Sequence, residues 1–152
     1  MSSAVVLRGE AREVALGEAQ AVLTMVQDEE RRGRLAALAA AADEGEVAGE
    51  DAEALEELLE LGLQTGRIRA VYGPGGEQAA LQMYRRLPRG AELAESAREV
   101  TAALQTFLAK PLESVAIQAV GPGAYVLSLK VDGADLSVRL DRQGARLASV
   151  GV

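Results

Sequence analysis

The sequence predicts an α+β fold in which an N-terminal helical hairpin precedes a long amphipathic helix packed on a four-stranded antiparallel β-meander. Three observations support this class. Apolar residues recur every three or four positions in the first 66 residues, they alternate with polar residues after Pro111, and one amphipathic helical segment lies between these two regions. No motif specific to a protein family accompanies the pattern.

The first predicted helix is the longest element of the N-terminal region. A short strand at 4–7 precedes it, and helical spacing then runs from Glu10 to Ala42. Gly33 weakens the pattern, but its alanine-rich flanks favour a helix that continues through it. No internal repeat is evident here or elsewhere in the sequence.

A second helix completes the predicted hairpin. The loop at 43–51 that leads into it is acidic, but a calcium loop in this register would place Ala40 and Ala42 at its first and third ligand positions. We therefore predict no metal site. The second helix spans 51–64, with Asp51 as its N-cap and with the glycine two residues beyond it in the left-handed conformation.

The next region mixes strand and helix patterns. Charged and apolar residues alternate at 67–72, which predicts a strand, and the glycine-rich sequence 73–76 predicts a turn. The segment 77–87 fits a helical face better than an edge strand, although both interpretations remain open. An amphipathic helix follows at 91–109 and ends before a proline.

The C-terminal region predicts four antiparallel strands with one apolar face. Alternation is clearest on either side of Asp132-Gly133, a pair typical of two-residue hairpin turns because both positions need a positive φ. The last strand spans 146–152. The helix at 91–109 is expected to cover the apolar face of this sheet.

The distribution of charge suggests two parts. Residues 1–66 contain 15 acidic and 5 basic side chains, a net charge of −10, whereas residues 67–152 contain 8 acidic and 11 basic side chains, a net charge of +3; together these give the −7 of the chain. We expect an acidic helical hairpin at 1–66 and an α+β subdomain with the C-terminal sheet at 67–152, within one compact domain overall.

The composition excludes several kinds of catalysis. The chain contains no Cys and no His, so it lacks Ser–His–Asp and Cys–His nucleophile systems and the preferred ligands of zinc. Acid–base chemistry is left to Asp, Glu, Tyr and two lysines. A non-catalytic protein without cofactors is therefore favoured over an enzyme based on paired carboxylates. No apolar run approaches the ~20 residues of a membrane span, and we expect the protein in the cytoplasm.

Five arginines and the glycine-rich turn are the candidate ligand-binding residues. They are Arg67, Arg69, Arg85, Arg86, Arg89, Gly75 and Gly76. Arginine can bind carboxylate or phosphate through two parallel hydrogen bonds, and a turn before a helix can present backbone N–H groups to an anion. Nucleic acid is disfavoured as a partner because the chain is acidic and contains few aromatic residues. In the alternative that we favour, these arginines pair with the acidic N-terminal half, within one subunit or across a dimer.

These observations predict a non-catalytic interaction or scaffold protein that acts as a homodimer. Complementary charge in the two halves and helix faces rich in Ala and Leu support self-association, and a different protein partner is also possible on these grounds. The alternative function is a binding domain for a small anionic ligand, formed by the arginine cluster and the glycine-rich turn.

Overall fold

The computed structural model describes residues 3–151, and it confirms the α+β class with N-terminal helices followed by an antiparallel sheet. Contacts divide the chain into one unit that ends at Ala91 and another that begins at Glu92. The elements in chain order are β1 (Val5–Val6), α1 (Gly9–Leu23), α2 (Glu29–Glu44), β2 (Glu46–Val47), α3 (Gly49–Gln64), α4 (Arg67–Tyr84), α5 (Pro88–Gln105), β3 (Leu112–Gly121), β4 (Ala124–Val131), β5 (Ala134–Asp141) and β6 (Gly144–Gly151). Val152, which the sequence assigns to the last strand, lies outside the described residues. Within residues 3–151, no helix combines the length and the apolarity that crossing a bilayer requires.

In the first unit, a strand followed by two helices occurs twice in succession. This repeat is not evident from the sequence. The two strands, β1 and β2, pair antiparallel, with Val5 opposite Val47. The helices that follow them, α1 and α3, each begin at a glycine with a φ of 54°, Gly9 and Gly49. Both α1 and α3 pack against α2 and α4. The N-terminal helices therefore form a group of four instead of a single hairpin.

The predicted continuous helix from Glu10 to Ala42 is wrong, because the chain breaks before Asp28. The first helix, α1, ends at Leu23, and the Asp28 carboxylate caps α2 by accepting a hydrogen bond of 2.9 Å from the backbone N–H of Arg31. Gly33 lies within α2, as predicted. The hydrogen-bonded N-cap at Asp28 thus marks the start of a separate helix, whereas the isolated Gly33 does not interrupt one.

The start of α3 also differs from the prediction, whereas its end does not. The helix begins at Gly49, so Asp51 lies in its first turn and Ala48 occupies the N-cap position. An acidic side chain in the first turn still interacts favourably with the helix dipole. Gly66 has a φ of 75°, which confirms the predicted left-handed residue after the helix.

The predicted strand at 67–72 and turn at 73–76 are both wrong, because these residues belong to α4. The helix is kinked at Gly73, which has a φ of 74° and a ψ of −176°, and Pro74 follows as the first residue of the second helical segment. The buried residues of α4 follow helical spacing across the kink: Ile68, Gly76, Ala80 and Met83. Burial of this stripe outweighs the local strand pattern.

The position of α4 also determines where the first unit ends. This helix packs against α1 and α3, so it belongs to the helical unit. The boundary between the units therefore lies beyond α4 instead of after Gly66, and the change in charge along the chain falls within the first unit.

In the second unit, α5 packs on one face of a β-meander with the strand order β3-β4-β5-β6. One cross-strand row runs from Ile117 through Leu127 and Val138 to Leu147. The turn between β4 and β5 has φ angles of 50° and 78° at its two central residues, Asp132 and Gly133, which confirms the predicted hairpin turn. The four predicted strands are thus present, in the predicted order.

Candidate functional site

The five candidate arginines do not converge on one site. Arg67 and Arg69 lie at the start of α4, whereas Arg85, Arg86 and Arg89 follow its end. The kinked helix α4 lies between the two groups, and their contacts differ: Arg67 lies near Glu18 of α1, whereas Arg86 lies near the Val6 carbonyl oxygen. An anion site built from all five side chains would require them to meet, so the two groups have to be considered separately.

Four of these arginines have partners within the first unit. The contacts are Arg67 Nη2 to Glu18 Oε1 at 3.7 Å, Arg69 Nη1 to Glu77 Oε1 at 3.5 Å, Arg86 Nη1 to the Val6 carbonyl oxygen at 3.3 Å and Arg89 Nε to Glu60 Oε1 at 3.1 Å. The acidic partners of Arg67 and Arg89 belong to α1 and α3. Their positions favour the interpretation that the arginines pair with the acidic N-terminal half. Arg85 is exposed.

The glycine-rich segment lies beside an acidic side chain. A Cβ atom placed on Gly75 would be 3.0 Å from Glu10 Oε2, and one on Gly76 would collide with Tyr72 at 2.3 Å. Gly76 is buried, and it permits close packing of α4. An anion approaching this helix start would therefore meet the carboxylate of Glu10. Arg86 lines a cavity of about 330 Å³ nearby, and Glu10 lines the same cavity.

The apolar face of the C-terminal sheet is only partly covered. Val100 of α5 packs over Leu136 and Val138 of β5, and all three are buried. The same face continues onto both outer strands, where Ile117 of β3 is 60% exposed and Val150 of β6 is 67% exposed. A helix is ~10–12 Å wide, whereas the outer strands of a four-stranded sheet are about 14 Å apart. One helix therefore covers the central strands and leaves the outer ones open.

The outer strand β3 is the most open element of the sheet. All ten of its residues are exposed, including Val115 at 56% and Ile117 at 60%. It contains one charged residue, Glu113, and neither lysine nor proline. Natural edge strands are usually protected by lysine, proline, short length or β-bulges. Irregularities of register occur only near the two ends of β3, and the segment 114–119 between them pairs regularly with β4. We call β3, with its exposed apolar side chains Val115 and Ile117, the open edge.

A second unusual feature is a buried acid in the first unit. Glu18 of α1 is 2% exposed, and it is the charged residue that burial singles out within the described part of the chain. Its Oε1 atom accepts no hydrogen bond from any described residue, and its nearest cation is Arg67 Nη2 at 3.7 Å. A buried carboxylate oxygen normally has a hydrogen-bond donor, since leaving it without one is costly.

Glycines on two helices make room around Glu18. A Cβ on Gly62 of α3 would lie 3.6 Å from Glu18 Oε2 and 2.7 Å from the Ile68 side chain, and a Cβ on Gly17 would lie 2.3 Å from the Tyr72 hydroxyl. Burial raises the pKa of Tyr72, and the neighbouring Glu18 carboxylate raises it further. The group therefore brings together a carboxylate, a guanidinium and a neutral phenol.

A small cavity opens beside this group. Its volume is about 200 Å³, and it is lined by Glu18, Val22, Leu58, Leu61, Gly62, Thr65 and Arg67. We call it the Glu18 cavity. The sequence interpretation missed Glu18, although a signal was present: this acid falls at helical spacing among the buried residues Ala11, Val14 and Ala15 of α1. An acid within an apolar helical stripe is a candidate for a buried role.

Two features thus remain as candidate sites, the open edge in the second unit and the Glu18 cavity in the first. The residues that form each of them belong to a single copy of the chain. No protein-family model matches the chain, and the searches of curated proteins and of solved structures also give no match.

Proposed function

We propose that the protein is a non-catalytic interaction protein of the cytoplasm that acts as a homodimer, with a second copy bound along the open edge. The full exposure of β3 carries this proposal, because its apolar side chains and its free backbone groups both lie on the surface. A strand with these properties is a template for another strand. The absence of Cys and His from the chain supports a binding role over a catalytic one.

An antiparallel pair of β3 strands would be self-complementary. In a register centred on Ala116, Val115 of each copy lies opposite Ile117 of the other. Because paired residues then share a face, the apolar faces of the two sheets join into one surface across eight strands. Cross-strand pairs of β-branched residues are favourable in this arrangement.

The charge on β3 favours a second copy of the chain in this orientation. In the same antiparallel register, Ser114 of each strand lies opposite Gln118 of the other, and Glu113 lies at a β-bulge just before this paired segment, so the two acids are kept apart. A parallel pair in register would instead place the two Glu113 side chains opposite each other, where like charges are destabilising. The strand is therefore compatible with its own antiparallel copy.

The test is the molar mass measured by light scattering after gel filtration. We expect the wild-type protein to have twice the 15.9 kDa mass of the chain, and Ile117→Lys to have the mass of a single chain. Ile117 is 60% exposed, so lysine at this position leaves the fold of one copy intact while placing a charge in the interface.

The control is Ser128→Lys, which adds the same charge to β4. Ser128 is exposed and pairs with Ala116, so it lies on the opposite face of the sheet. This variant should remain a dimer, and circular dichroism should show that both variants are folded. A wild-type protein that stays monomeric at high concentration, or an Ile117→Lys variant that stays dimeric, would contradict the proposal.

A further inference from the structure

The Glu18 cavity has the components of a binding site for a small molecule. One wall contains Glu18, a buried acid whose Oε1 atom accepts no hydrogen bond in the described part of the chain, although the Tyr72 hydroxyl lies beside the same carboxylate. Apolar side chains also line the cavity, namely those of Val22, Leu58 and Leu61. Its volume of about 200 Å³ is below the ~300 Å³ at which drug-sized pockets begin, so the fitting ligand is smaller than a drug.

The charges define which polar group would be recognised. Glu18 Oε1 needs a donor, and the donor that best matches a buried carboxylate carries a positive charge. Arg67 does not fully supply it, because its Nη2 atom is 3.7 Å from Oε1, beyond hydrogen-bond distance, and its side chain is 37% exposed. A primary ammonium group is compact and has three donors, so it suits the carboxylate of Glu18, a residue that lines the cavity.

We propose that the Glu18 cavity binds a small aliphatic molecule through a primary ammonium group. The ammonium donates to the Glu18 carboxylate, and the aliphatic part lies against Val22, Leu58 and Leu61. Arg67 remains at the rim, where it can pair with a carboxylate if the ligand is an α-amino acid. The binding site lies within the first unit and does not depend on the open edge or on dimer formation.

Isothermal titration calorimetry of the full chain tests this proposal with three probes of similar shape. The probes are 3-methylbutylamine, which carries ammonium alone, L-leucine, which carries ammonium and carboxylate, and 4-methylpentanoate, which carries carboxylate alone. We expect saturable binding with one site per chain for at least one of the first two and none for the third. Tighter binding of leucine would assign the ligand class to amino acids, and tighter binding of the amine would assign it to simple amines.

Two variants and one control separate the role of Glu18 from a general effect on folding. Glu18→Gln keeps the size of the side chain but removes its charge, and it should weaken binding at least tenfold. Val22→Phe leaves Glu18 unchanged but fills the cavity, so it should abolish binding even if Glu18→Gln does not fold. Glu53→Gln removes an exposed acid from α3 and should bind within twofold of the wild type.

The proposal is overturned by any of three results. These are no saturable binding of either ammonium probe to the folded wild-type chain, equal binding of 4-methylpentanoate, or unchanged affinity in both Val22→Phe and a folded Glu18→Gln.

Discussion

The helical unit and the sheet unit differ in how completely they bury their apolar side chains. Within the described residues, the core of the helical unit contains nineteen buried apolar residues contributed by β1, β2 and all four helices, whereas that of the sheet unit contains three, Val100, Leu136 and Val138. In the helical unit, each helix contacts at least two others. In the sheet unit, one helix lies over four strands. The comparison shows that apolar alternation predicts a sheet face but does not ensure that the face is covered.

The two units also differ in where their unusual polar groups lie. In the helical unit, the carboxylate of Glu18 is buried. Two tyrosines of this unit, Tyr72 and Tyr84, are partly buried beside acidic side chains. The sheet unit instead has a charge cluster around Asp141, whose partly buried carboxylate pairs with the guanidinium groups of Arg139 and Arg146. Core substitutions and changes of pH should therefore affect the two units differently.

The largest expected difference concerns core truncation. Leu59 of α3 is fully buried, so Leu59→Ala should lower the free energy of unfolding by about 2–5 kcal/mol. Leu147 of β6 is 41% exposed, and Leu147→Ala should change it by only about 0.5 kcal/mol. Urea denaturation followed by circular dichroism measures both values. Similar losses for the two variants would show that β6 is covered in solution.

A smaller effect is expected at Tyr84, whose hydroxyl donates a hydrogen bond of 2.7 Å to Glu60 Oε1. Tyr84→Phe should destabilise the helical unit by about 1.5 kcal/mol, typical of a hydrogen bond to a charged group. Burial, followed by this contact with Glu60, raises the pKa of Tyr84 above its ordinary value of 10.0. The contribution of this group to stability is therefore present below pH 10 and lost at higher pH, as the unfolded chain ionises first.

The pH dependence provides the control for the Tyr84 variant. In urea titrations at neutral pH and above pH 10, the wild type should lose more stability on alkalinisation than Tyr84→Phe. If both proteins lose the same free energy of unfolding above pH 10, the contact with Glu60 does not keep the Tyr84 hydroxyl protonated in the folded state.

The smallest effect is expected at Asp141 in the sheet unit. The Arg139 guanidinium, the Gln143 backbone N–H and the Arg146 guanidinium lower the pKa of Asp141 from its ordinary value of 3.8. The stability that these contacts contribute is present above pH 3.8 and is lost as pH falls through the lower pKa of the folded state. The protection factors of the amide hydrogens in β5 and β6, which compare measured with intrinsic exchange at each pH, should therefore fall as the pH drops below 3.8.

Asp141→Asn tests this assignment. The variant removes the titrating group but keeps a similar shape, so its protection factors in β5 and β6 should depend less on acidic pH than those of the wild type. Identical pH profiles for the two proteins would rule out Asp141 as the source of the acid sensitivity.

Local patterns predicted the sheet unit better than the helical unit. The strands of the meander alternate over most of their length, and the Asp132-Gly133 turn has one strongly preferred backbone geometry, so neither depends on distant parts of the chain. The sequence of α4 contains two patterns that predict different structures. Its first residues alternate as a strand would, but Ile68, Gly76 and Ala80 are spaced for one helical face.

The candidate sites were less predictable than the elements. The predicted arginine cluster rests on proximity in sequence, but in the fold Arg67 contacts Glu18 and Arg86 contacts the Val6 carbonyl oxygen. Glu18 was overlooked because an acid in an acidic helix resembles a solvent-facing residue. Its burial depends on α3 and α4, which contribute Gly62, Ile68 and Tyr72 around it.

The sequence by itself determined the α+β class, the meander and its hairpin turn, because these follow from short-range periodicity and from the backbone preferences of a few residues. Only the tertiary structure decided that α4 is a helix, that Glu18 is buried and that β3 remains open. The reason is physical: burial is set by which surfaces meet, and those surfaces come from elements far apart along the chain. One helix is too narrow to cover four strands, and no local pattern records that width.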